Sequence, residues 1–382
     1  MIEKETIHKQ KILIFHPALA PYRIDQFNSL NELYDLEVVF LFDRIWNFNI
    51  DHRNLVKECH FKISYLLKGP RYKGRLLRFG MLRKIREVKP DIIFGYEYSF
   101  TTQYLILLKS MGFITQKVGS FIDDSLDICM HVQSKVRRLA RDYSLKHLDF
   151  LVVMSEGVAH FYQGNFMVDE KQVIVSPILQ LPERLRKYPE KIESSARSYI
   201  FKHHLRGKKV MLFVGRFIPE KALPLFITTI APDLIEKEDV ILILVGDGEE
   251  KEVLSTLIRE KNLGEKVLLP GKYQAEELYG WYLCASGFIL PSLYEPFGAV
   301  VNEALIFGLT VLCSQYAGAS SLVRPTNGML FNPSDSTDTL EKFRRYINTL
   351  TPVEDISLVD TPILMEDQKQ NFIKEWGKLG HE

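Results

Sequence analysis

Short apolar runs alternate with helix-length segments along almost the whole chain. In the first half the runs are residues 11–19 (KILIFHPAL), 36–42, 91–98, 117–123, 149–155 and 171–177. Helical patterns fall between them at 22–33, 101–112 and 135–148. Strands separated by helices predict a parallel sheet covered on both faces. From Leu181 to Lys209 the pattern lapses into charged residues broken by Pro182 and Pro189, which reads as a linker. The alternation then resumes, with strands expected at 208–216, 239–248, 266–271, 287–292 and 310–314 and helices at 222–235, 248–263, 275–285 and 298–307. The chain therefore reads as two doubly wound α/β domains, residues 1–180 and 210–352, joined by a linker over 181–209. Residues 353–382 form a tail, expected to cross back to the first domain. Phe372 and Trp376 stand at i and i+4 there, a spacing that packs a terminal helix.

Length supports two cores, since 382 residues exceed what one ordinary core holds. With 46% hydrophobic residues both cores can be filled. Cys59, Cys129, Cys284 and Cys313 lie far apart and form no CxxC pair, so free thiols are expected and no metal site. No apolar run approaches the length of a spanning helix, and the charged start carries no signal-peptide pattern. A cytoplasmic location is expected, with peripheral attachment to the cytoplasmic membrane face as a further expectation.

Charge adds an asymmetry to the net value of +1. Residues 1–180 hold 25 Lys and Arg against 20 Asp and Glu. The densest stretch is Lys62 to Lys89, with Lys62, Lys68, Arg71, Lys73, Arg75, Arg78, Arg83, Lys84, Arg86 and Lys89 against Glu87. Leucines and Phe79 interleave the charges, so a partly amphipathic helix is expected. It could serve as a solvated face or attract an anionic membrane surface or a diphosphate-linked acceptor; nucleic acid is the weakest of these readings.

Four pieces of the second half look like chemistry. VGRFIPEKA places Arg216 and Lys221 around a strand end, where two permanent cations can hold a diphosphate. VGDGEE supplies Gly246 for a tight strand-to-helix turn and Asp247 as a candidate helix cap; both are mainly architectural, with a nucleotide contact left open. LPSLYEPFGAVVNEALIFG is the most informative. Glu295 sits in a loop, able to accept from sugar hydroxyls, and Glu303 lies two turns along the next helix, able to reach both hydroxyls of a ribose. The amides of Phe297, Gly298 and Ala299 fall where that helix should begin, an anion site. QYAGASSL sets Gly318 after a strand, where backbone can approach a ligand, and NGMLFNPSD (327–335) reads as turn residues.

In this order and spacing, VGR…K, VGDG, LPS…EPFG…E and G…NG…P over residues 210–340 resemble the donor domain of retaining glycosyltransferases of family 4, of the kind that build bacterial surface polysaccharide. The resemblance implies the GT-B fold, two Rossmann-like doubly wound domains facing across a cleft. It implies a nucleoside-diphosphate sugar as donor, in UDP or GDP form, and no cofactor or metal. Glu303 would hold the ribose and Glu295 the donor sugar, while Arg216 and Lys221 neutralise the diphosphate. Arg216, Lys221 and Glu295 would then act in catalysis. Three departures stand out: Ala222 where glycine usually follows the lysine, Thr310 for proline, and Ser321 for an acid after the glycine loop.

The first half resembles the family more loosely, through HPALAPYRIDQFNSL at 16–30. His16, Tyr22 and Arg23 are its polar members, placed either as a self-satisfied loop or at the acceptor or diphosphate. Glu97, Asp123 and Asp124 follow strand ends, where α/β domains present reactive groups, and are candidates for acceptor contact, with Asp123 and Asp124 as candidate catalytic acids. His131 and His160 read as ordinary helix histidines. The implied activity moves sugar to a glycan or a polyisoprenyl-diphosphate-linked acceptor with retained configuration. A catalytically silent sugar-nucleotide-binding subunit and a nucleotide-sugar epimerase are the alternatives.

Overall fold

A computed structural model of the chain describes residues 9–43, 52–72, 75–76 and 78–380. Two compact units emerge, one from residues up to Leu179 together with those from Asp367 onward, the other from Gln180 to Glu366.

The first unit is built on a seven-stranded sheet. Its strands are β1 (Lys11–His16), β2 (Asp35–Phe40), β3 (Lys62–Tyr65), β6 (Ile92–Tyr96), β7 (Lys117–Ile122), β8 (Phe150–Val153) and β9 (Val173–Val175), in spatial order β3-β2-β1-β6-β7-β8-β9. The short antiparallel pair β4 (Arg71–Tyr72) and β5 (Arg75–Leu76) stands apart from it. All seven strands run parallel, and β1 lies between two neighbours, Ile12 pairing with both Leu36 and Ile92. A central parallel strand is covered on both faces, which is why Ile12 to Phe15 are apolar without alternation and wholly buried. Residues from Asp367 onward add a helix, Lys369–Gly377. Its Trp376 packs against Phe94 and Phe121 and donates its indole N–H to Ser176 Oγ at 3.1 Å.

The second unit carries a six-stranded parallel sheet. Its strands are β10 (Lys209–Arg216), β11 (Val240–Asp247), β12 (Val267–Gly271), β13 (Gly287–Leu290), β14 (Thr310–Ser314) and β15 (Gly328–Phe331), in order β12-β11-β10-β13-β14-β15. The order reverses beside β10, and such switch points in open α/β sheets are where ligands bind at the carboxyl ends of strands.

Several expectations are corrected. The stretch from Lys62 to Lys89 is not one amphipathic helix: it supplies strand β3, the β4–β5 hairpin and a helix of only Met81–Val88. Its cations are partly used internally, Lys84 pairing with Glu37 at 2.7 Å and Arg78 donating to the carbonyls of Leu41 and Leu67. Lys73 and Leu77 lie outside the described residues. Residues 181–209 carry two helices, Pro182–Leu185 and Pro189–Lys202, and belong to the second unit. Each has proline in its first turn, where the missing N–H costs nothing, so the residues read as breakers are helix starts. Within 327–335, residues 328–331 form β15.

Candidate functional site

At the carboxyl end of β10 the second unit gathers several of the expected residues. Arg216 closes the strand, in register with Asp247 at the end of β11, and is exposed with no acidic partner among the described residues. Five residues on, Lys221 ends a 3-10 turn, Pro219–Lys221, whose shape fixes the next contact. The Glu220 carbonyl accepts from the amides of Leu293 (2.9 Å) and Tyr294 (3.3 Å), which docks the loop after β13 and brings Glu295 to Lys221. The Lys221 ammonium donates to Glu295 Oε2, and both side chains are largely withdrawn from solvent. Ala222 follows with φ of 51°, the left-handed region where a Cβ costs roughly 1 to 2 kcal/mol, so the residue departing from the glycine pattern keeps the glycine backbone.

The glycines are fixed by packing. A Cβ on Gly246 would meet the Gly215 carbonyl at 1.9 Å, and one on Gly318 the Pro296 carbonyl at 2.3 Å. Gly318 was expected to admit a ligand to its backbone; what it admits is the loop carrying Glu295. The Gly318 amide donates to the Glu295 carbonyl at 3.3 Å and the Ala319 amide to that of Phe297 at 2.7 Å. Asp247 does not cap the following helix, which starts at Lys251; it accepts from the Gly248 amide at 3.0 Å and faces Lys251 at 3.6 Å. Ser321 donates to the Gly318 carbonyl at 2.9 Å.

The helix carrying Glu303 begins at Val300, not at Gly298, and ends at Ile306. Gly298 has φ of 94° and Phe297 is buried, so residues 297–299 are the turn before the helix. Glu303 has other partners than the Lys221–Glu295 pair. Tyr282 donates its hydroxyl to Oε2 at 2.8 Å, and Gln180 Nε2 donates to Oε1 at 3.1 Å. Burial pushes the Glu303 carboxyl above the ordinary range, against those two hydrogen bonds and Arg184.

In the first unit the strand ends of β1, β6 and β7 converge on a buried polar cluster. Arg23 is fully buried, donating to Gln26 and to Asp123 Oδ2. Tyr96 also donates to Asp123 Oδ2, at 3.0 Å. Glu97 accepts from the Asp123 amide at 3.0 Å and from Arg137 at 2.7 Å, and Arg137 also pairs with Asp124. Burial and the nearby Asp124 carboxylate push the Glu97 carboxyl well above its ordinary value, partly offset by Arg137; burial also raises Asp124. Glu97 has φ of 53°, a strained setting for a carboxylate residue. His16 Nδ1 meets the Ala18 carbonyl at 3.0 Å, which requires the proton on Nδ1 and leaves Nε2 as an acceptor. That Nε2 and Asp123 Oδ1 are both buried without a hydrogen-bond partner among the described residues. Tyr22 is partly exposed beside Arg23.

Thus Arg23, Glu97, Asp123 and Asp124 come together in one unit, and Lys221, Glu295 and Gly318 in the other. Tyr282, Gln180, Tyr96 and Arg137 were not anticipated. Tyr282 lies in an apolar helix pattern and Gln180 at an expected boundary, while Arg137 reaches Glu97 over 40 positions that no local pattern spans. Among the described residues, no group of His, Cys, Asp and Glu has metal-ligand geometry, and no helix is long and apolar enough to cross a membrane.

Residues 196–351, all in the second unit, match the model of the family described as Glycosyl transferases group 1. The 2-deoxystreptamine N-acetyl-D-glucosaminyltransferase of Niallia circulans is 28% identical over 164 residues, 42% of this chain and 42% of that protein. The chain spans 33%, 42% and 27% of the length of three curated relatives it matches. Among solved structures, sucrose-phosphate synthase from Thermosynechococcus elongatus has a TM-score of 0.68 at 18% identity, covering 97% of both chains. Anabaena HepE in complex with UDP and glucose has a TM-score of 0.66 at 16% identity, covering 97% of this chain and 96% of its own. The fold is accordingly that of the GT-B glycosyltransferases, with two Rossmann-like domains.

Proposed function

We propose that this protein is a glycosyltransferase that moves a sugar from a nucleoside-diphosphate sugar to a glycan or lipid-linked acceptor with retention of configuration. The observation that carries the reading is the Lys221–Glu295 ion pair at the carboxyl end of β10, inside the segment that matches the group 1 glycosyltransferase model. Arg216, exposed beside it, is the second cation for a diphosphate. In this reading the nucleoside diphosphate leaves with the electron pair of its bond to the anomeric carbon, and the acceptor oxygen bonds to that carbon on the same face. The acceptor proton passes to the departing phosphate. Charge grows on the diphosphate as the bond breaks, so Arg216 and Lys221 bind that state more strongly than the ground state.

Glu303 holds the ribose and Glu295 the donor sugar. The amides of Phe297, Gly298 and Ala299, with Gly246 and Asp247, complete the proposed donor site. In the first unit, His16 Nε2 and Asp123 Oδ1 are the atoms left to accept from an acceptor hydroxyl, with Tyr22, Arg23, Glu97 and Asp124 around them. A UDP or GDP sugar is the donor form proposed, with no cofactor.

Calorimetry with UDP, GDP and their sugars, followed by mass analysis of transfer to lipid-linked acceptors, tests the reading. Glu303→Ala should weaken both free nucleoside diphosphate and intact donor, since ribose is common to both. Glu295→Ala should leave the free diphosphate bound at least as well, because it releases Lys221, while slowing transfer by roughly 2 to 4 kcal/mol of barrier. Melting curves check that each variant folds. If both variants bind and transfer like the parent, the donor site lies elsewhere; binding without transfer to any acceptor would instead indicate a silent subunit.

A further inference from the structure

Two neighbouring helices of the first unit carry an apolar face that stays open to solvent. On the helix Phe100–Ser110 and the residue after it, Phe100, Leu107 and Met111 fall at i, i+7 and i+11, one stripe of a 3.6-residue helix, and are 42%, 48% and 60% exposed. On the helix Lys135–His147, Val136, Leu139 and Tyr143 fall at i, i+3 and i+7 and are 58%, 70% and 43% exposed.

The helices lie side by side. Gln103 donates to Ser144 Oγ at 2.7 Å and to the Ala140 carbonyl at 3.5 Å. Arg137 bonds Glu97 just before the first helix, and Lys109 pairs with Asp149 just after the second. Contacts at matching ends set the two helices parallel, so the two exposed apolar stripes run in the same direction on adjacent helices.

Charge selects the occupant. Lys135, Arg138 and Lys146 are exposed on the second helix and form no ion pair among the described residues; Arg138 also donates to the Val132 carbonyl at 3.2 Å. The acid of that helix, Asp142, faces Arg141 at 3.3 Å. A second copy of this chain, docked through the same face, would bring like charges together around an apolar centre. An anionic bilayer supplies both what the apolar side chains need and what the cations need. Tyr143 suits an interface, with its ring against His147 at 4.2 Å.

We propose that this two-helix face of the first unit docks on an anionic lipid surface, seating Phe100, Leu107, Met111, Val136, Leu139 and Tyr143 among the acyl chains and the cations among the headgroups. The attachment lies here and not on the Lys62 to Lys89 stretch, whose cations are partly spent on internal contacts. It is independent of the transferase reading.

Flotation with vesicles of phosphatidylglycerol and phosphatidylcholine, against phosphatidylcholine alone, tests it at low and high salt. The parent should bind the mixed vesicles and release as salt rises. The Leu139→Glu/Tyr143→Glu variant should lose binding roughly tenfold or more. Lys135→Gln/Arg138→Gln/Lys146→Gln should lose roughly fivefold per charge and serves as the deciding variant if the first melts early. Lys68→Gln/Arg86→Gln should bind as the parent does. Parent protein that ignores mixed vesicles at low salt, or face variants that bind like the parent, overturns the proposal. So does loss of binding in the Lys68/Arg86 control. A parent dimer that face variants dissociate, without vesicle binding, assigns the face to a second copy instead.

Discussion

Tyr282 donates its hydroxyl to Glu303 Oε2 at 2.8 Å, tying the helix Ala275–Leu283 to the helix that follows β13. With Gln180 on the other oxygen, both carboxylate oxygens are held in place. Burial raises the Glu303 carboxyl, and the Tyr282 hydrogen bond opposes that rise by favouring the charged form.

Tyr282→Phe should therefore push the Glu303 carboxyl further up. The carboxylate would be lost at a higher pH as acid is added, so nucleoside diphosphate binding should fall off earlier on the way down from neutral. Losing a charged hydrogen bond costs roughly 1.5 to 3 kcal/mol, an upper bound on the loss of affinity. Calorimetric titration of UDP across a pH series measures both. An unmoved pH profile in a folded variant would count against Glu303 as the ribose acceptor.

Gly318→Ala should destabilise the second unit by roughly 1 to 3 kcal/mol. Its Cβ would lie 2.3 Å from the Pro296 carbonyl and 3.0 Å from Phe297 Cα, and the backbone bonds to Glu295 and Phe297 keep the two loops from parting. Gly264→Ala is the control: its Cβ meets nothing within 4 Å, and its φ is not left-handed, so it should be neutral or stabilising by about 0.4 to 1 kcal/mol. Urea unfolding of the two variants gives the comparison. Equal stability would mean the loops part more easily than their hydrogen bonds imply.

Much of this architecture is legible in the chain because buried parallel strands are short, wholly apolar runs. Residues 209–216 and 240–247 show it, and both appear where expected within a residue or two. Lys62–Tyr65 escaped notice because an edge strand with half-exposed side chains need not be apolar, and the surrounding cations suggested a helix. Gly328–Phe331 escaped for a similar reason, flanked by turn-forming Asn327 and Asn332. The Lys221–Glu295 partnership spans 74 positions, and its residue types alone made both members candidates. Tyr282 and Arg137 had no such marker. A tyrosine in an apolar helix and an arginine in a basic one acquire their partners only when the chain folds.

His16 should impose a pH dependence on the first unit. Burial, with the positive Arg23 nearby, pushes its imidazole down to about 3, while Asp123 and the Ala18 carbonyl oppose the shift. The unfolded imidazole titrates near the ordinary 6.5. Between those values the unfolded chain holds a proton that the folded chain refuses. Stability from this group is therefore complete above 6.5 and is lost progressively as pH falls towards 3. From pH 7 to pH 5 the loss is about 2 kcal/mol. Glu97 and Asp124, raised by burial, act in the opposite sense, their folded forms gaining as pH falls through their raised values. They remain in a His16→Gln variant, so the difference between variant and parent isolates the histidine. In a Trp281→Phe background Trp376, packed on Phe94 and Phe121, reports the unfolding of the first unit in urea. The variant should lose about 2 kcal/mol less than the parent between pH 7 and pH 5. Parallel pH profiles would mean that His16 takes up its proton without leaving the fold.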